Sequence, residues 1–202
     1  MSTLYIICAP SGAGKTSLVA AAVASLERVE ISVSHTTRPM RPGEKEGINY
    51  HFVNTPTFQS MITHQDFLEH ALVFDNHYGT SRSFVAEKLK NNIDVILEID
   101  WQGAQQITNL FQNTVSIFIL PPSMEILSSR LRLRGQDSAA VIEKRLAEAR
   151  HEIQHYQEFD YLVVNDDFSH AVNDLKSIIT AHRLSLSLQK RTQASLIRAL
   201  LA

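Results

Sequence analysis

Cysteine is nearly missing from this 202-residue chain: Cys8 stands alone, so no intrachain disulfide can form and a cross-linked scaffold is excluded. No apolar run approaches the ~18–20 residues that cross a bilayer, and Met1-Ser2-Thr3 lacks the basic stretch that opens a secretory signal. Both shortages point to a soluble chain in a reducing, cytoplasmic setting with no membrane partner. Neither charge sign is in excess, since the formal net charge is −2, which gives no general reason to bind nucleic acid. Repeats and low-complexity tracts are also missing. What is there is an ordinary globular balance, 44% apolar and 20% charged, in a length suited to one core with small inserts at most.

Leu4 to Ala9 is a continuous apolar run of strand formers, the pattern of a parallel strand covered on both faces. A Gly-rich turn follows, and Lys15 to Leu26 then repeats Leu18, Val19, Ala22, Val23 and Leu26 at helical spacing. Similar apolar runs at Val95–Ile99, Val115–Leu120 and Tyr161–Val164 alternate with helical patterns over 101–110, 123–132, 138–157 and 168–188. That alternation predicts an α/β fold, an open parallel sheet flanked by helices, with ligands beyond the carboxyl ends of the strands. The polar stretch 34–82, with Pro39, Pro42, Gly43, Gly47 and Pro56 and short extended runs at 49–53 and 67–74, breaks the alternation and reads as an insert. Gly135 interrupts a second stretch, Arg132 to Asp137, suited to a mobile flap. The tail from Leu186 is weakly amphipathic and is expected to pack on the core of its own chain.

Ala9-Pro10-Ser11-Gly12-Ala13-Gly14-Lys15-Thr16 matches the phosphate-loop pattern at Gly14, Lys15 and Thr16, with Ala9 where the strict pattern begins with Gly. Following a buried strand and opening a helix, its N–H groups converge on polyphosphate, and its small residues let the backbone come close. Lys15 would reach the β- and γ-phosphates of ATP, and the Thr16 hydroxyl would ligate Mg²⁺.

The segment Ser34 to Glu44, with Gly47-Ile48-Asn49-Tyr50, Phe67-Leu68-Glu69-His70, Tyr78 to Arg82, Glu98 to Gly103, Arg134-Gly135 and Val164-Asn165-Asp166, resembles the guanylate kinases, in the order of that family. The resemblance runs from the first strand to about residue 185. It implies a P-loop kinase three-layer fold: a core of 1–33 and 83–202, an inserted GMP-binding subdomain at 34–82 and a small lid at 130–145. It implies transfer of the γ-phosphoryl group of Mg-ATP to GMP, giving ADP and GDP.

Arg38 and Arg41 beside Tyr50 and Tyr78 could surround a monophosphate, although an isolated arginine pair of this spacing usually marks a solvated basic face. The resemblance carries all of them over as contacts to the GMP phosphate. Guanine presents N1–H and its amino group as donors, so choosing it over adenine calls for acidic acceptors, here Glu69 and Asp100, with Ser34 and Thr80 for O6 and N7. Glu98 and Asp100, two apart at the end of a strand, project from one face. One of them should help hold magnesium with Thr16, directly or through water. Their division of magnesium and guanine duties stays open, because family members commonly carry Asp where Glu98 stands.

The attacking group is already an anionic phosphate oxygen, so no general base is required and catalysis reduces to alignment and charge neutralisation. By resemblance the neutralising side chains are Lys15 and the flap arginines Arg130, Arg134 and Arg145, and Asn165 lies on the adenine side. A rival signal, His151-Glu152-Ile153-Gln154-His155, matches a zinc-protease helix. The stripe Ile142, Leu146, Ala149, Ile153 and Tyr156 is expected to turn both histidines to solvent, and no third ligand is signalled. A protein-binding relative without catalysis would have no need of Gly12, Gly14, Lys15, Thr16 and the flap arginines.

Overall fold

Leu4–Cys8 forms strand β1 with every side chain buried, which is why its sequence carries no polar alternation. The computed structural model describes residues 2–111, 113–133 and 138–202. β1 pairs in parallel with β7 (Asp94–Glu98) on one side and β8 (Thr114–Leu120) on the other. β2 (Val29–Ile31) and β9 (Tyr161–Val164) extend the sheet in the order β2-β7-β1-β8-β9, every pairing parallel.

Successive β1 side chains go to opposite faces. Tyr5 and Ile7 pack with Leu18, Val19 and Ala22 of α1 (Lys15–Val23) and with Ala171, Leu175 and Ile179 of α7 (Phe168–Arg183). Leu4 and Ile6 pack with Val85 of α3 (Arg82–Lys90) and with Ala104 and Ile107 of α4 (Trp101–Leu110). Burial of each such large side chain stabilises by roughly 1.5–3 kcal/mol, so the sheet is held from both sides and the expected α/β three-layer arrangement is found.

A second, four-stranded sheet in the order β4-β3-β6-β5 occupies the proline- and glycine-bearing stretch. It comprises β3 (His35–Thr36), β4 (His51–Phe52), β5 (Phe67–Val73) and β6 (Asn76–Ser81). The β5–β6 hairpin turns at Phe74 and Asp75, both left-handed (φ 47° and 62°), which matches the right-handed twist of the strands. α2 (Thr55–Thr63) starts at Asn54, whose side chain accepts from Thr57 N, and buries Phe58. Phe58 stacks on Phe67 at 4.5 Å and His77 at 5.2 Å. α5 (Met124–Leu133) and α6 (Ala139–Gln154) close a third cluster around Leu127, Leu131, Ile142, Leu146 and Ala149.

Several expectations need correction. α1 ends at Val23, and the chain beyond it continues only as tight turns, Ser25 N to Ala22 O and Leu26 N to Val23 O. The helix expected over 168–188 stops at Arg183, because Ser185 turns extended (ψ 143°). The tail does not pack on the core: α8 (Leu186–Thr192) and α9 (Ala194–Leu201) bury no residue, and Leu200 and Leu201 are 76% and 83% exposed. One face of the sheet is already covered by α1 and α7 and the other by α3 and α4, which leaves the tail little apolar surface to cover. β2, α2 and α3 were not foreseen, since each is short or buries a single apolar side chain. Among the described residues no helix is long and apolar enough to cross a membrane.

Candidate active site

The loop from Ala9 to Thr16 leaves β1 and turns into α1 through two left-handed glycines, Gly12 (φ 96°) and Gly14 (φ 94°). Space forbids side chains there as well. A Cβ on Gly12 would lie 2.8 Å from Leu131, and one on Gly14 would lie 2.5 Å from the Asn165 amide. Asn165 is buried and donates to Ala13 O at 2.7 Å, bracing the loop from the end of β9. Pro10 and Ser11 line the entry, with Ala13 N bonded back to Pro10 O at 3.0 Å. The first turn of α1 carries no acidic side chain, so the positive end of the helix is left uncompensated.

Lys15 Nζ donates to Ile99 O at 3.0 Å, and the Thr16 hydroxyl donates to Glu98 Oε2 at 2.8 Å. The loop is thus joined to the end of β7, two residues before Asp100. Asp100 caps α4, its Oδ1 accepting Gly103 N at 3.0 Å. Glu69, on β5, is buried and accepts from the Thr80 hydroxyl at 2.6 Å. The two acids meet over Gly103, where a Cβ would sit 2.5 Å from Glu69 Oε2 and 3.3 Å from Asp100 Oδ1. A side chain at this position would push the Glu69 carboxylate aside. Burial pushes Glu69 up to about 7, and Asp100 adds to the shift while Thr80 and Lys15 oppose it. Burial also raises Asp100, against its bonds to the α4 amides and the charge of Lys15.

The second sheet gathers the other polar side chains. Arg38 donates to Glu44 Oε1 at 2.6 Å, and the other Glu44 oxygen accepts Arg41 N at 2.7 Å, so one carboxylate orders the whole turn. The Arg38 guanidinium lies 5.2 Å from the Tyr50 ring, and Tyr50 is 5.8 Å from Tyr78. Ser34 is buried at the entry to β3. Arg38, Tyr50 and Tyr78 therefore form one cluster, to which Arg41 is tied through Glu44, and Glu69, Thr80 and Asp100 form another. Sequence reasoning missed Glu44 as an organiser and Gly103 as a spacer. A carboxylate three residues after Arg41 was the available signal for the first; nothing in the local pattern marked the second.

The guanylate kinase family profile matches residues 1–182. The chain belongs to the guanylate kinase family. It is 57% identical over 199 residues to the guanylate kinase of Alkalilimnicola ehrlichii, covering 98% of both chains. It is 58% identical over 200 residues to that of Alcanivorax borkumensis, covering 99% of this chain and 97% of the relative. The crystal structure of guanylate kinase from Anaplasma phagocytophilum superposes with a TM-score of 0.77 at 33% identity, covering 92% of this chain and 88% of that one. The P-loop kinase fold expected of this family is thereby shown.

Two of the three arginines expected on the flap of this guanylate kinase family member are held in different ways. Arg130 donates to Ala13 O at 3.2 Å and to Asn165 O at 3.0 Å, on the carbonyl side of the phosphate loop. Arg145, on α6, is buried with its guanidinium 5.7 Å from the Phe74 ring at the tip of the β5–β6 hairpin. Arg134 lies outside the described residues.

The expectation that His151 and His155 face solvent fails for His155. Its ring stacks on Trp101 at 3.7 Å and its Nδ1 meets Glu158 at 2.6 Å, while His151 stacks behind it at 5.4 Å. One face of α6 packs on α5, while His151 and His155 stack against Trp101 of α4 and Glu152 reaches Ser11 of the phosphate loop. Among the described residues no cluster of His, Cys, Asp or Glu is arranged to hold a metal.

Proposed function

We infer that the chain transfers the γ-phosphoryl group of ATP to GMP, giving ADP and GDP. The observation that carries the reading is the Lys15 contact to Ile99 O, which sets the phosphate loop one residue from Asp100 and so brings donor loop and base-reading acids to the same strand end. In this reading Ala9 to Thr16 and Asn165 hold ATP. Arg38, Arg41, Tyr50 and Tyr78 hold the GMP phosphate, and Glu69, Asp100, Ser34 and Thr80 read guanine. Lys15, Arg130, Arg134 and Arg145 offset charge on the moving group. Asn165 Nδ2 gives one hydrogen to Ala13 O, which leaves its second N–H and its Oδ1 for the adenine side.

Thr16 and Glu98 present hard oxygen donors 2.8 Å apart, which suits magnesium, with Asp100 as the alternative acid. Bound there, Mg²⁺ would neutralise charge on the β- and γ-phosphates. The protein's own part is positioning: the loop amides grip the donor, the arginine and tyrosine cluster orients GMP, and the attacking phosphate oxygen needs no base. Residues 34–82 and the lid at 130–145 would close on the core at 1–33 and 83–202, excluding water that would otherwise take the phosphoryl group. A lone, buried Cys8, its thiol pushed up to about 12 by burial, fits a reducing cytoplasm.

An assay of ADP formation with Mg-ATP and each of GMP, AMP, UMP and dTMP tests the reading. GDP with GMP alone is expected. Faster turnover of another acceptor would overturn the guanine assignment of Glu69 and Asp100 while leaving the phosphate loop standing.

A further inference from the structure

Glu152 belongs to the motif that was set aside as a false zinc signature, yet its side chain enters the phosphate loop: Oε2 accepts Ser11 N–H at 3.2 Å. Glu152 follows Arg145 by two helical turns, so both project from the same side of α6 toward the cleft. That side of α6 is engaged at both ends. Near its start, Arg145 lies over Phe74 and Lys144 approaches Asp75 at 3.7 Å, both contacts to the β5–β6 hairpin. Near its end it is engaged by the Ser11 contact. Backbone N–H groups of such a loop are the donors that polyphosphate requires, so the Glu152 carboxylate and a bound nucleotide claim the same hydrogen. The carboxylate is also poorly accommodated as an anion. Burial pushes its pKa up to about 7, opposed by the Ser11 N–H and Lys15 and reinforced by Asp100 and Glu148.

We propose that Glu152 competes with the phosphates of ATP for the Ser11 N–H, and that ATP binding displaces it and releases the C-terminal half of α6, the helix that carries Arg145. Glu152 is then a positioning residue that links occupancy of the phosphate loop to movement of a flap arginine. The inference rests on the reading of Ala9 to Thr16 as the ATP phosphate loop. A simple structural brace makes the opposite forecast, because a loop that loses its brace grips phosphate less well.

Calorimetric titration of the full chain with Mg-ATP, without GMP, separates these. Glu152→Ala should tighten ATP by about tenfold, the scale of a charge-assisted hydrogen bond at a partly exposed site. Glu152→Gln, which keeps the acceptor without the charge, should fall between Ala and the parent, and the GMP KM of both should stay within about twofold. Hydrogen exchange in α6 should rise on ATP binding in the parent and be raised already in Glu152→Ala. Unchanged or weaker ATP binding by Glu152→Ala would overturn the proposal, as would α6 exchange that responds identically in parent and variant. Lys15→Ala is the control for the underlying reading. Loss of ATP affinity there with no gain in Glu152→Ala sinks the competition alone, whereas full affinity in Lys15→Ala sinks the phosphate-loop assignment.

Discussion

The donor and acceptor halves of the candidate site are built on opposite plans. The donor half is eight consecutive residues, Ala9 to Thr16, whose working groups are mostly backbone amides and whose shape depends on two glycines that admit no Cβ. The acceptor half draws Arg38, Tyr50, Glu69, Tyr78 and Asp100 from separate elements and works through side chains, each held by a partner such as Glu44, Thr80 or the α4 N-terminus. A backbone site can be contiguous because one turn and one helix end supply all its donors. A site that must read base edges needs side chains of fixed type in fixed places, and only a folded sheet and helix can assemble them.

That contrast can be broken by substitution, and the largest effect is expected in the donor half. Lys15→Ala should lower kcat by on the order of 10³-fold, since it removes a preorganised charge from the transferred phosphoryl group. A loss under tenfold in single-turnover rates would show that the loop binds without taking part in chemistry. In the acceptor half, Glu69→Gln should raise the GMP KM by roughly 10–100-fold, the value of a charge-assisted bond, with the ATP KM within about twofold. Equal changes in both constants would remove the division between the halves.

Gly103→Ala sharpens the comparison, because the added methyl would press on Glu69, 2.5 Å away, well before it presses on Asp100 at 3.3 Å. It should raise the GMP KM about tenfold, although alanine ordinarily favours a helix interior by up to ~1 kcal/mol. In a Glu69→Ala background most of that effect should disappear, leaving only what the Asp100 contact contributes. Additive losses in that double variant would mean Gly103 matters for some other reason.

A smaller effect is thermodynamic. The Glu69 carboxyl rises from 4.5 in the unfolded chain to about 7 in the folded one, so between those values the native state holds a proton that the unfolded state has released. Its contribution is therefore retained at low pH and lost as pH rises through that window. Between pH 5 and 8 the stability of Glu69→Gln should improve relative to the parent by roughly 1–3 kcal/mol. A constant difference in denaturant midpoints across that range would show Glu69 to be an ordinary carboxylate. The smallest effect is expected outside both halves: removing Ala194–Ala202 should move Tm by only about 1–2 °C, because α9 buries nothing.

How much was legible follows the same division. β1, α4, α5 and β9 could be located within a residue because each carries an unbroken apolar run or a clear helical period. α2 and α3 bury one apolar residue each, Phe58 and Val85, so no periodic signal betrayed them. The phosphate loop was legible as a string. The acceptor residues were legible only through family resemblance, since an isolated Arg38-x-x-Arg41 or Glu69 is ordinary surface chemistry. The α6 stripe correctly named Ile142, Leu146 and Ala149 as buried, but a stripe says nothing about what the other face meets.

The chain by itself determined the alternation of strands and helices and the glycine-bearing turn from β1 into α1, because these depend on near neighbours in sequence. Tertiary structure alone decided that Glu69 and Asp100 meet over Gly103, that Arg145 lies against Phe74 and that Glu152 reaches Ser11. Those contacts join residues far apart along the chain, and what a carboxylate or guanidinium does is set by the burial and partners it finds only when the layers close.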